Sequence, residues 1–353
     1  MKSINRRSLM QGGLSLAALG SFPGIAFADG RLVVTDPGGS TQQAMVKAFY
    51  KPFERATGVT VTFAARPNQA MGQLKSMVLA NNVEWDVTYL SDYLVNLALA
   101  DDLLDEIDTS KMDPKLLAEM LPGTVSPYLV GGAIYGTVFS YSTKLWPDPT
   151  LAPKNWADFW DVKRFPGRRA MIGGGYGPIE QALLADGVPR DKLYPLDLDR
   201  AFAKLDEIRP HVTVWTTASA QQNQLLVNNE VDLLHGFANR IVSAMDDGAH
   251  VTIQWRDGST THEGWVIPKG AKNRELVLKF IEFVLDARRQ AEGVTASAPT
   301  NSLATNFLAP ERARMLPTYP ENFAQAFATD AKWLAANQAM LNQRWTQWRA
   351  RRT

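Results

Sequence analysis

Short apolar or alternating runs, separated by stretches of helical spacing, recur along almost the entire chain. Arg31-Leu32-Val33-Val34-Thr35 predicts a strand, closed by the turn Asp36-Pro37-Gly38-Gly39. A helix from about Thr41 carries Phe49 and Phe53 and stops at Gly58. Next come a strand over Val59–Phe63, a helix around Met71–Ala80, a strand over Asp86–Leu90 and a helix from Asp92 to Leu104. The pattern resumes with extended Ile134–Ser140, a buried strand Ala170–Ile172 and a helix from Pro178 to Leu184. Further strands fall at Val212–Trp215, Val231–Leu234, Val251–Trp255 and Gly264–Pro268, with helices between. Helix Arg274–Leu285 follows, and a last long helix sets Trp333, Leu334, Leu341, Trp345 and Trp348 on helical spacing. Strands alternating with helices predict an α/β chain, its parallel sheet covered on both faces, in two lobes of similar size.

The N-terminus departs from this pattern. Lys2 and the pair Arg6-Arg7 precede a Gly- and Ala-rich apolar stretch that ends Ala26-Phe27-Ala28. That order predicts a cleavable export signal over residues 1–28. The arginine pair with Leu9 behind it points to the twin-arginine route, and the mature chain is expected to begin at Asp29. The chain has no cysteine, which excludes disulfides, thiolate metal sites, a cysteine nucleophile and a lipidated cysteine anchor. A mature protein free in the periplasm is therefore expected. Three of the 37 basic residues lie in the signal and none of the 36 acids does, leaving 34 against 36, or −2. This balance offers no electrostatic footprint for nucleic acid.

Four segments, in their order and spacing, resemble the periplasmic solute-binding proteins of ABC importers, most closely the spermidine/putrescine-binding branch. They are Phe49–Val59, ending Ala56-Thr57-Gly58-Val59; Asn155–Asp161 leading to Phe165-Pro166-Gly167-Arg168-Arg169; Gly264–Ala271; and Pro299-Thr300-Asn301. The resemblance implies a two-lobed periplasmic binding fold of type II, hinged by two crossing strands near Gly136–Ser142 and Glu263–Ile267. It implies a first lobe of residues 29–135 plus 265–353, the C-terminal helices free to touch both lobes, and a second lobe of residues 136–264. It also implies a small-molecule ligand, an inner-membrane ABC permease as partner, a monomeric state and no catalysis.

Ligands of open α/β sheets bind beyond the carboxyl ends of the strands, which selects six loops. Gly39 and Ser40 open the first helix, with Ser40-x-x-Gln43 at capping-box spacing and a positive helix end suited to an anion. Ser91 and Tyr93 follow the third strand, where the polyamine-binding relatives place a serine and a tyrosine. Tyr176 stands in Gly173-Gly174-Gly175-Tyr176-Gly177, a lid or stacking face over exposed backbone. Where the polyamine binders carry acids in the comparable loop, this chain has only Glu180. Trp215 is a cation–π candidate, and Ser219-x-x-Gln222 repeats the capping spacing, making Gln222 a further candidate. Asn239 can donate and accept, and Arg240 offers a fork for a carboxylate or phosphonate, with Asp246 or Asp247 as competing surface partners. Glu263 matches the acid with which the polyamine-binding relatives hold the amine. Thr261 falls where their tryptophan would be, and Trp265, on the same strand face as Glu263, compensates.

These residues predict capture of a small amine-bearing solute, either a polyamine such as putrescine or spermidine or a zwitterion (an amino acid derivative or aminophosphonate) whose anionic end meets Arg240 or the Gly39-Ser40 helix start. Another small organic anion or ferric iron is the alternative within the class. Iron is disfavoured, since the chain lacks a Tyr-Tyr pair and His211, His235, His250 and His262 show no metal spacing. The alternative from another class is a secreted hydrolase, against which stands the absence of Gly-x-Ser-x-Gly and His-Glu-x-x-His from the mature chain. No cofactor and no metal are expected.

Overall fold

The computed structural model describes residues 30–36, 38–65, 70–175, 177–293 and 298–351. The export signal read over residues 1–28 and the candidate Tyr176 lie outside the described residues.

In the first lobe, β1 (Arg31–Asp36) runs parallel to β2 (Thr60–Ala65) on one side and to β3 (Val87–Ser91) on the other. Between β1 and β2 the chain is almost one helical rod: α1 (Gly39–Met45), a π turn over Val46–Tyr50, and α2 (Lys51–Thr57). Gly58 ends the rod in the left-handed conformation, φ 74°, which a glycine adopts without steric cost. α3 (Ala70–Leu79) and α4 (Asp92–Ala100) flank β3, and β4 (Leu104–Asp105) and α5 (Pro114–Ala118) lead on.

β5 (Val130–Ser142) is 13 residues long and carries the chain into the second lobe. There α6 (Trp156–Trp160), β6 (Arg169–Ile172), α7 (Ile179–Ala185), α8 (Leu198–Ile208), β7 (Val212–Thr216), α9 (Ser219–Val227), β8 (Leu233–Phe237) and α10 (Ala238–Asp246) follow in alternation. β6 pairs in parallel with β7 and with β8. β9 (Val251–Pro268), 18 residues long, returns to the first lobe. The strand order is β2-β1-β3-β9-β5-β8-β6-β7, so β9 and β5 form the seam between the lobes.

On the seam, Gly136 pairs with Thr260 and Thr137 with Ser259. Glu263–Val266 already lies beside β3. The crossing on β9 therefore falls a few residues before the expected Glu263–Ile267. β9 also spans a gap that the hydrophobic pattern leaves open between Trp255 and Gly264. The pairing to β5 slips between Gln254 and Ser259, and Asp257 there has φ 54°. Such a bulge kinks a strand without ending its sheet.

The C-terminal stretch holds α11 (Arg274–Val284), α12 (Ala287–Glu292), β10 (Ala298–Pro299), α13 (Pro310–Arg314), α14 (Pro320–Gln325), β11 (Phe327–Ala328), α15 (Ala331–Ala336) and α16 (Gln338–Ala350). The expected single last helix is thus two, parted at Asn337. α11 completes the first core, where Phe280 meets Phe53 and Trp265 edge to face. α16 joins the other lobe instead: Leu341, Trp345 and Trp348 are buried with Phe139, Phe202 and Leu205. β11 pairs with Ser259 and Thr260 of β9, so the C-terminal segment also crosses the seam.

Candidate functional site

The carboxyl ends of β3 and β8 lie beside β9 and β5, and each expected loop can be placed against that seam. In the first loop Gly38, φ 76°, caps α1 and Ser40 is the second helical residue, so the expected serine cap is not formed. The charge drawn to that helix end belongs to the chain: the buried Asp36 carboxylate accepts the Gly38 N–H at 2.8 Å and the Gln42 amide at 2.9 Å. Tyr50 donates its hydroxyl to the other Asp36 oxygen at 2.7 Å. An internal carboxylate at a positive helix end competes with any second anion there, which weakens the anion-binding reading of Gly39 and Ser40. Their side chains are outside the description.

Ser91 caps α4, its Oγ accepting the Leu94 N–H. On β9 it stands opposite Glu263. Tyr93 is half-buried and packs toward the second lobe's cluster with Tyr194 and Trp333, so the first lobe's loop touches the other lobe's core. Burial alone pushes its hydroxyl above the ordinary tyrosine range.

Two aromatic candidates turn out to be core residues. Trp265 is 1% exposed and sits between Tyr89 and Phe280. The pleat puts it on the Glu263 face, and it also lines a small cavity with Tyr89, Gly132 and Pro299. Trp215 meets Trp345 and Trp348 edge to face at 5.6 and 5.5 Å, and a cation does lie over its ring, namely Arg349 at 5.1 Å. Its cation–π partner is internal. Gln222 is corrected in the same sense: Ser219 is the first residue of α9 rather than its cap, and the buried Gln222 Oε1 accepts the Phe237 N–H at 2.9 Å. That bond fixes the turn from β8 into α10. Glu180, buried in α7, accepts the Tyr194 hydroxyl at 2.9 Å.

The α10 turn carries Asn239 and Arg240. Asp246 pairs with Arg312 at 2.9 Å, and Asp247 accepts from Asn223 at 2.9 Å. The residues that neighbour Arg240 on the helix surface, three and four positions on, are Ser243 and Ala244. Arg240, half-buried in the first turn, therefore has no ion pair among the described residues. Beside it the Asn239 Oδ1 is buried and accepts no hydrogen bond from any described residue. A buried acceptor without a donor costs on the order of 1–3 kcal/mol unless a ligand or water supplies one.

Phe237, Thr137 and Ser259 lie side by side on three adjacent strands. Glu263, buried in β9, stands four residues further along, about 13 Å at strand spacing. Arg240, in the first turn of α10, and Glu263, on β9, thus lie on elements that meet at the seam. The sequence reading missed Asp92 and His262. Asp92, whose carboxyl burial raises to about 6, accepts the Tyr93 N–H and the His262 N–H. His262 Nε2 lies 2.5 Å from the Gly131 carbonyl oxygen, and burial lowers its imidazole to about 4. Asp92 was visible only as the first residue of a helix, and nothing in its spacing announced burial.

Two α/β lobes sharing paired long strands define a two-lobed binding protein of the periplasmic kind. Residues 48–338 match the model of the bacterial extracellular solute-binding proteins, and the chain belongs to that family. It is 34% identical to the gamma-aminobutyric acid-binding protein of Pseudomonas aeruginosa, over 99% of both chains. The spermidine/putrescine-binding periplasmic protein of Escherichia coli is 23% identical, over 76% of this chain and 78% of its own. The solved ABC transporter substrate-binding protein of Bradyrhizobium japonicum superposes with a TM-score of 0.81 at 35% identity, over 91% of this chain and 99% of its own. The chain is accordingly the substrate-binding component of an ABC transporter and acts on a small-molecule ligand in the periplasm.

Proposed function

We propose that this protein is a non-catalytic, monomeric receptor, exported by the twin-arginine route, that captures a small zwitterionic amine of the γ-aminobutyrate kind for an inner-membrane permease. Arg240 takes the carboxylate through a bidentate fork and Glu263 takes the ammonium. Ser91, Tyr93 and Asn239 line the path between them. The observation that carries the reading is Arg240, half-buried in the first turn of α10 and without an ion pair among the described residues. The resemblance to a gamma-aminobutyric acid-binding protein along the whole chain supports the same chemistry. A polyamine fits less well, because its second ammonium would meet the Arg240 cation. Ligand contacts drawn from both lobes favour the closed state, as capture requires.

A thermal-shift panel tests the reading. γ-Aminobutyrate should raise the melting temperature, while butyrate and n-butylamine, each lacking one charge, should raise it far less. Equal stabilisation by putrescine and γ-aminobutyrate would contradict the zwitterion assignment, and consumption of the ligand would contradict the receptor assignment.

A further inference from the structure

The loop after β6 contains Gly173, Gly174, Gly175 and Gly177, and four glycines bring no side chains with which to hold a shape. Its shape is imposed from beneath by the C-terminal helix. The Trp345 indole N–H donates to the Gly173 carbonyl at 3.1 Å, across 172 residues of sequence. Gly177 sits directly on the same ring: its φ is 77°, and a Cβ there would lie 2.5 Å from the nearest indole carbon. The Gly173 N–H in turn donates to the Thr216 carbonyl at 2.7 Å, and neighbouring Trp215 packs edge-on against Trp345. Trp345 is itself immobilised, 4% exposed and stacked on Trp348 with ring planes 17° apart.

We propose that Trp345 is a positioning residue for ligand binding: it fixes the glycine loop as the second lobe's backbone wall of the site. This inference rests on the reading of that loop as a ligand wall, beside the α10 turn. The loop carries exposed backbone toward the ligand, so its affinity depends on pre-organisation, which the Trp345 ring and its N–H supply. Trp348 provides the contrast. It belongs to the same aromatic stack but bonds Asp206 and carries the Arg209 cation, and among the described residues it makes no hydrogen bond to the loop.

The experiment compares full-length Trp345→Phe and Trp348→Phe with the parent protein in two measurements. Hydrogen exchange of the segment 171–178 reads the loop without ligand, and calorimetric titration with γ-aminobutyrate reads the site. Trp345→Phe should speed exchange in that segment and weaken γ-aminobutyrate binding roughly tenfold. Trp348→Phe should leave both within about twofold of the parent even where its melting temperature falls equally. Unchanged exchange in Trp345→Phe overturns the proposal, and so does an affinity loss that both variants share in step with their stability. If the parent protein does not bind γ-aminobutyrate, the proposed function fails, and the exchange result still decides whether Trp345 holds the loop.

Discussion

Tyr89 and Trp265 stand directly opposite each other on β3 and β9, their rings edge to face with centroids 4.9 Å apart. This contact makes Trp265 part of the first lobe's core, although it shares a strand face with the acid at the seam. Trp265→Ala should therefore cost about 3–5 kcal/mol in urea unfolding, the range for a buried aromatic truncated to alanine. Trp265→Phe should retain ligand affinity within about twofold, as expected for a site that does not touch the ligand. A variant that folds with parental stability yet binds more weakly would place the indole in the ligand wall.

Acid should destabilise the protein. Burial lowers the imidazoles of His262 to about 4 and His235 to about 3, from an ordinary 6.5. The unfolded chain takes up these protons first, so their contribution is complete above about 6.5 and is lost as pH falls through the folded values. Asp92 opposes them: its carboxyl is raised to about 6 from 3.8, so its contribution is complete below 3.8 and lost as pH rises through 6. Two histidines outweigh one carboxyl, and the melting temperature should fall between pH 7 and pH 4.5. His262→Gln should flatten part of that slope. A melting temperature that rises on acidification would show the histidines to be hydrated rather than buried neutral.

Glu263→Gln keeps the shape of the side chain and removes its charge. A charge-assisted hydrogen bond to an ammonium is worth roughly 1.5–3 kcal/mol, so affinity for an amine should fall about ten- to a hundredfold. Undiminished affinity, measured by calorimetry, would remove Glu263 from the site.

The order of elements was legible because each depended on local patterning: the rod ending at Gly58 and the alternation of α and β in both lobes were read from apolar spacing and glycine alone. The continuity of β9 was not. β9 runs through Asp257 and Gly258, residues that punctuate a sequence as a turn, yet the sheet continues because β5 pairs on both sides of the bulge. The proposed site rests on Arg240 and Glu263, charges beside expected strands, whereas Trp215, Trp265 and Gln222 carried the same signal and are held by internal packing. What separates the two groups is tertiary: whether α16 or α11 covers the residue, and whether a backbone N–H claims its acceptor. No spacing rule reports those partners.

The most direct test of the account is a calorimetric titration of γ-aminobutyrate into the parent protein and Arg240→Gln, with n-butylamine as the ligand lacking the carboxylate. The account predicts that Arg240→Gln loses about ten- to a hundredfold in affinity for γ-aminobutyrate, the value of a charged hydrogen-bonding pair, and does not lose affinity for n-butylamine. Equal affinity of both proteins for γ-aminobutyrate, or an equal loss for both ligands, would contradict it.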